Sequence, residues 1–306
     1  MCCLFGFVDY GHQLTRKQRS RLLCVLSVAC EERGADATGI AYNYDGKQHI
    51  FKRPLAAHLM WYRVPAGATT VMGHTRMTTQ GSEKHNENNH PFHGYAGGGR
   101  FALAHNGVLY NDKILRKQMK LPTTKIETDS YVAVQLLEKF GRLNFDGLQY
   151  MAEELEGSFT ITALSDRDEL YFVKGNNPIC IYHFPEKGIY IYASTEEILQ
   201  KALMRLCFRL GTMERIRMYT GEMLCINGNG KVTRSHFDDS KLYTFTPPWA
   251  HWGGYEPVQR PYSAESEYIS DLKAVASYFG LYEEDVEALL ADGISPEEIE
   301  EYLYCG

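Results

Sequence analysis

Apolar residues crowd the start of the chain: Leu4, Phe5, Phe7 and Val8 fall within residues 3–10 and read as a buried strand. Across residues 14–33 the spacing changes. Leu22, Leu23, Leu26 and Ala29 recur at helical intervals, and Gly34 supplies a stop. Residues 40–52 hold two β-prone runs around Asp45-Gly46, a pair suited to the positive φ angles of a tight turn, and predict a hairpin. Residues 70–74 and 101–110 read as further strands. Residues 130–140, carrying Val132, Val134, Leu136 and Leu137 and closed by Gly141, read as a helix.

From Gly157 onward the pattern is strand-rich. Residues 158–164 pair naturally with 170–173, and 178–184 with 188–193. Residues 222–227 pair with 231–236 across two Asn-Gly steps, Asn227-Gly228 and Asn229-Gly230. Residues 195–206 are helical. Antiparallel hairpins mixed with buried helices predict sheet layers flanked by helices, not a doubly wound parallel sheet. Residues 95–99, Tyr-Ala-Gly-Gly-Gly, read as either a mobile lid or a plain turn.

Composition divides the chain after residue 245. Pro247, Pro248, Trp249, Gly253, Gly254, Pro257 and Pro261 mark 246–265 as a linker or a surface strap. Residues 266–306 form an acidic helical tail. One helix is expected at 283–291, ended by Gly293, and a second start at Ser295-Pro296-Glu297-Glu298, with Ser as cap and the second Glu at the third position. Leu281, Val286, Leu289, Leu290, Ile299 and Leu303 give this tail an apolar stripe. It either docks on a partner or a second copy, or packs within its own chain.

The bulk numbers narrow the classes. Of 306 residues 44% are hydrophobic and 23% charged, the balance of a globular protein with a full core. A formal net charge of -6 argues against a bulk basic field for nucleic acid. No apolar run approaches the roughly 20 residues a membrane span needs, and Asp9, His12 and Arg16 interrupt any secretory leader. A cytoplasmic location is expected. The eight cysteines include no C-x-x-C pair, which favours reduced thiols.

Candidate chemistry begins at Met1-Cys2-Cys3. Loss of Met1 would leave Cys2 with a free α-amine, whose reference pKa of about 7.7–8.0 lets it take the thiol proton near neutral pH. Read alone, Cys2 is more simply a small residue beside a strand. Next comes Gly73-His74-Thr75-Arg76-Met77-Thr78-Thr79-Gln80-Gly81, followed by Asn89-His90-Pro91-Phe92. Here a strand delivers an Arg into a polar loop, and the planar guanidinium suits a carboxylate. Ala104-His105-Asn106-Gly107 ends another strand, where an Asn amide beside a Gly N–H makes a two-donor cup for an oxyanion. Glu127-Thr128-Asp129 opens a helix and offers an acid for an ammonium group, or simply a helix cap. His85, His90, His93 and His105 invite a metal, but no ligand set with a recognised spacing accompanies them, so no metal and no cofactor is expected.

In this order the motifs resemble the glutaminase domain of class II glutamine amidotransferases. The likeness extends over about the first 200 residues, through Leu155-Glu156-Gly157-Ser158-Phe159 and Ala193-Ser194. It implies a four-layer αββα sandwich of the N-terminal nucleophile hydrolase type and glutamine as the small-molecule substrate. By the same resemblance Cys2 is the nucleophile and its α-amine the base, Asn106 and Gly107 form the oxyanion hole, Arg76 and Asp129 hold the α-carboxylate and α-ammonium, and Thr79 contacts substrate. Where the sugar-phosphate synthase type has Trp and His, this chain has Met77 and Gln80, which puts loop closure in question. The residues after Phe245 are too few for a sugar isomerase or phosphoribosyltransferase domain. The resemblance thus implies a separate synthase or ligase as ammonia acceptor. A freestanding amidohydrolase for γ-glutamyl or other small amides is the alternative, and a non-catalytic scaffold the least favoured. Homo-oligomerisation is left open.

Overall fold

The computed structural model describes residues 2–243 and, further on, residues 269, 272–273, 276, 282–296 and 298–299. The chain divides into two compact units, Met1–Phe245 and Thr246–Gly306.

The first unit is built on two antiparallel sheets. One has seven strands in the order β11-β9-β10-β1-β4-β2-β3. These are β1 (Cys3–Asp9), β2 (Ala37–Tyr44), β3 (Lys47–Arg53), β4 (Thr70–Arg76), β9 (Cys180–Phe184), β10 (Ile189–Ala193) and β11 (Glu214–Ile216). The other has six, in the order β13-β12-β8-β7-β6-β5. Its members are β5 (Phe92–Ala96), β6 (Gly99–Leu109), β7 (Gly157–Ser165), β8 (Leu170–Lys174), β12 (Glu222–Ile226) and β13 (Val232–His236).

The period-two alternation of each buried strand feeds two cores at once. On β1, Leu4 and Val8 join Met72, Ala104, Phe172 and Tyr192 between the sheets. Phe5 and Phe7 point the other way, toward α1 (Arg16–Ala29) and α5 (Glu196–Met204). The second sheet presents Leu103, Phe159 and Val173 to α2 (Asp112–Gln118), α3 (Tyr131–Phe140) and α4 (Phe145–Glu154). The layers run helix, sheet, sheet, helix, the αββα sandwich that the resemblance implied.

The sequence expectations meet the structure in most elements. Asp45 and Gly46 adopt φ of 52° and 68° in the β2–β3 turn, and Gly141 closes α3 at 86°. Residues 95–99 are a plain turn: Gly97 and Gly98 take φ of 62° and 83° and join β5 to β6. The helices α2 and α4 and the short strand β11 go beyond the elements read from the pattern.

In the second unit the helix Glu283–Ala291 stands where it was expected. Ser295 and Glu298 make reciprocal cap bonds, with Glu298 N donating to Ser295 Oγ at 3.3 Å and Ser295 N to Glu298 Oε2 at 2.8 Å. Val286 and Ile299 pack with Leu272 and Ala276 inside this unit, which gives part of the apolar stripe an internal use. The segment 246–265 lies outside the described residues.

Candidate active site

The nucleophile candidate sits at a strand start. In the antiparallel register of β1 and β4, Cys3 faces Thr75, which brings Cys2 beside Arg76. The backbone around Cys2 is fixed from two sides. Arg33, buried at the end of α1, donates Nε–H to Cys2 O at 3.1 Å, and Leu4 N donates to Ser194 Oγ at 2.8 Å. The Cys2 Sγ lies 3.5 Å from Met77 O. Burial pushes its thiol pKa up; the Met77 backbone, the chain's positive N-terminus and the Arg76 cation oppose this, and the Asp129 carboxylate adds to it. Cys2, Arg76 and Asp129 therefore act within one electrostatic neighbourhood.

Arg76 is nearly buried and organises the loop that follows it. Its Nη1 donates to Asn89 Oδ1 at 2.7 Å, and its Nη2 to Gln80 O and Gly81 O at 2.6 and 3.1 Å. Asp36 fastens the loop's start, with its carboxylate accepting from Thr78 N at 2.7 Å. Asn88 ties the loop to the acidic segment: Glu127 N donates to Asn88 Oδ1 at 2.9 Å and Asn88 Nδ2 donates to Glu127 Oε2 at 2.7 Å. Gln80 Nε2 reaches Glu127 O at 2.8 Å. Thr79 is exposed, and among the described residues no hydrogen bond ties its side chain to this group.

The opposite wall is β6. Asn106 is fully buried, yet neither atom of its side-chain amide meets a hydrogen-bond partner among the described residues. Gly107 follows with φ of 144°, and a Cβ there would fall 1.9 Å from Ser158 O, so only glycine fits. Asn177 Nδ2 donates to Asn106 O at 2.9 Å and holds this peptide in place. The two sheets are bridged at the same level by His74, whose Nε2 lies 3.0 Å from His105 O.

Behind this wall three histidines are buried. The ring of His90 lies 4.1 Å from that of His74 and 4.3 Å from that of Phe92. Burial drives His74 down to about 3 and His90 well below the usual imidazole range. It also lowers His105, against the pull of the Asp129 carboxylate. His93 is an exposed residue of β5 near Phe101 O, and among the described residues no group of His, Cys, Asp or Glu is arranged to hold a metal ion.

Asp129 does not cap α3. Its Oδ2 accepts from Leu109 N at 2.6 Å, and its Oδ1 lies 3.3 Å from Ser130 Oγ. The helix-cap alternative is thereby set aside, since α3 has no side-chain cap. Arg33, Asp36, Asn177 and Ser130 are parts of this site that sequence reading missed. For Arg33 the available signal was its neighbour Gly34, where a Cβ would lie 2.5 Å from the Arg76 carbonyl carbon. Two open surface cavities, of about 450 Å³ against Phe184 and Leu206 and about 640 Å³ against Arg19 and Asn227, involve none of these residues.

A sandwich of two antiparallel sheets between helices is the fold of the N-terminal nucleophile hydrolases. The fold matches the B. subtilis glutamine phosphoribosylpyrophosphate amidotransferase solved with ADP and GMP, with a TM-score of 0.62 at 20% identity, over 77% of this chain and 49% of that one. Residues 74–201 match the glutamine amidotransferase domain family. The glutamine–fructose-6-phosphate aminotransferase (isomerizing) of Staphylococcus epidermidis is 31% identical over 192 residues, covering 59% of this chain and 30% of that protein. Its Geobacillus kaustophilus counterpart is 32% identical over 189 residues, with the same coverage. The chain thus spans about a third of the length of these relatives. Over residues 74–201 the chain is similar to glutamine amidotransferase domains, in line with the resemblance its motifs carry. Among the described residues no helix is long and apolar enough to cross a membrane.

Proposed function

We propose that this domain releases ammonia from glutamine through a γ-glutamyl thioester on Cys2. Removal of Met1 frees the Cys2 α-amine, which takes the thiol proton as Sγ attacks the side-chain amide carbon. Asn106 Nδ2 and the Gly107 N–H donate to the oxyanion that forms. Collapse breaks the C–N bond and the amine's proton leaves with ammonia. Water then cleaves the thioester to glutamate and restores the thiol. Arg76 takes the substrate α-carboxylate with N–H groups not used on its loop, Asp129 takes the α-ammonium, and Thr79 lines the loop rim. The ammonia passes to an acceptor site outside residues 1–245, on a separate synthase or ligase. Relatives named as aminotransferases that use glutamine support a nitrogen-transfer role.

The observation that carries this reading is the orphaned amide of Asn106. A fully buried polar side chain without a protein partner is costly unless a ligand atom completes it, and this one adjoins the glycine that no other residue can replace. The test pairs intact mass with a glutaminase assay on the same preparation. The active protein is expected to lack Met1, and Cys2→Ala to abolish glutamate release. An active preparation that retains Met1, or turnover undiminished by Cys2→Ala, sinks the mechanism. Steady glutamate release without any partner protein favours the freestanding amidohydrolase over the ammonia-donating subunit.

A further inference from the structure

Ser130 occupies the position before α3 where a hydroxyl ordinarily caps the helix, yet its side chain makes no cap bond. It turns inward instead. Its Oγ lies 2.7 Å from His105 Nδ1 and 3.3 Å from Asp129 Oδ1, while His105 Nε2 lies 3.2 Å from Ser158 O. All three side chains are buried, at 1–4% exposure.

These three contacts cannot be satisfied together. A hydroxyl brings one proton and a neutral imidazole one, whereas a carbonyl and a carboxylate only accept. Burial keeps His105 in its neutral form. In one arrangement the imidazole proton sits on Nδ1, Ser130 receives it and donates its own to Asp129, and Ser158 O goes without. In the other the proton sits on Nε2 and bonds Ser158 O, Ser130 donates to Nδ1, and Asp129 Oδ1 is left to another donor. An unpaired buried carboxylate oxygen is the costlier orphan, so the first arrangement belongs to the empty site.

We infer that Ser130 and His105 are positioning residues that switch arrangement when an α-ammonium group reaches Asp129, and so signal its arrival to the strand carrying the oxyanion donors. This rests on the ammonium role proposed for Asp129. The ammonium donates to Oδ1, Ser130 turns to His105 Nδ1, and the imidazole proton appears on Nε2 by exchange with water, with no net proton gained or lost. The new bond to Ser158 O forms beside Gly107, whose missing Cβ would strike that same oxygen. Recognition of an amino-acid head group thereby tightens the β6–β7 seam at the oxyanion site, and an amide lacking the α-amine leaves it slack.

The experiment is selective nitrogen-15 histidine NMR on the full chain carrying Cys2→Ser, which binds without efficient turnover, with His105→Gln used to assign the resonances. Saturating glutamine is expected to move the His105 proton from Nδ1 to Nε2, and 4-carbamoylbutanoate, which lacks the α-amine, to leave it on Nδ1. Ser130→Ala should hold His105 as the Nε2–H form throughout, and Ser130→Thr should restore the shift. Glutamine that binds, and binds more weakly to Asp129→Asn, without changing the His105 tautomer overturns this inference alone. Glutamine binding that Asp129→Asn leaves intact removes the ammonium assignment and the inference with it. Absence of saturable glutamine binding overturns the proposed function as well.

Discussion

Asn106→Ala separates stability from catalysis in a way few buried polar substitutions do. Deleting a buried amide normally breaks hydrogen bonds and costs about 1–3 kcal/mol in abandoned partners. Here there are none among the described residues to abandon. The substitution relieves an orphaned amide whose burial costs about 1–3 kcal/mol, and it leaves a small void worth about 1 kcal/mol in the opposite direction. The balance predicts a stability unchanged or raised by up to about 2 kcal/mol, read as the midpoint of urea unfolding with the slope held constant. The rate behaves otherwise. Loss of one oxyanion donor removes about 2.7–4 kcal/mol of transition-state stabilisation, roughly 10²–10³ in kcat. Glutamate release on the same preparation measures it. A protein destabilised by more than about 2 kcal/mol shows that Asn106 has structural partners, and a rate loss under about tenfold shows that it is no oxyanion donor. Either result refutes the reasoning.

Two further outcomes follow from the same walls. His74, His90 and His105 have folded pKa values below their unfolded ones, so the unfolded chain binds more protons as pH falls below about 6.5. Stability is complete above that pH and drains away toward the folded value, about 3 for His74, at up to about 1.4 kcal/mol per histidine per pH unit. His90→Phe should lower the proton uptake on acid unfolding by one, and an unchanged slope in urea titrations between pH 6 and 4 contradicts the assignment. Gly107→Ala places a Cβ 1.9 Å from Ser158 O at a φ of 144°. The expected loss is about 2–4 kcal/mol in unfolding free energy, and a variant within 1 kcal/mol of the parent shows that the β6–β7 seam yields.

The strands were legible because their signals are local. Asp45-Gly46 and the Asn-Gly steps announce hairpins, and the paired apolar faces of β1 follow from alternation alone. α2 was hidden because its burial is thin, with Leu115 its only fully buried apolar residue. The β5–β6 turn was hidden by its own glycines, since a Gly-Gly pair reads equally as a tight turn and as slack chain. Sheet order was out of reach, because nothing near Cys3 announces that β1 lies between β4 and β10. At the site the sequence offered residue types in a suggestive order. It withheld contacts. Arg76 was read as a candidate carboxylate partner and not as the anchor of its own loop, and Ser130 was passed over because a serine at a helix start has an ordinary explanation.

The place of β1 has a consequence for how the molecule comes into being. Leu4 of β1 and Ser194, just past β10, are hydrogen-bonded partners 190 residues apart in the chain. At a synthesis rate of about 5–20 residues per second, roughly 10–40 s separate the emergence of Leu4 from that of Ser194. Throughout that interval one flank of the strand has no companion. The strand is closed on both flanks only when β10 arrives, so the centre of this sheet is among the last parts an emerging chain can complete.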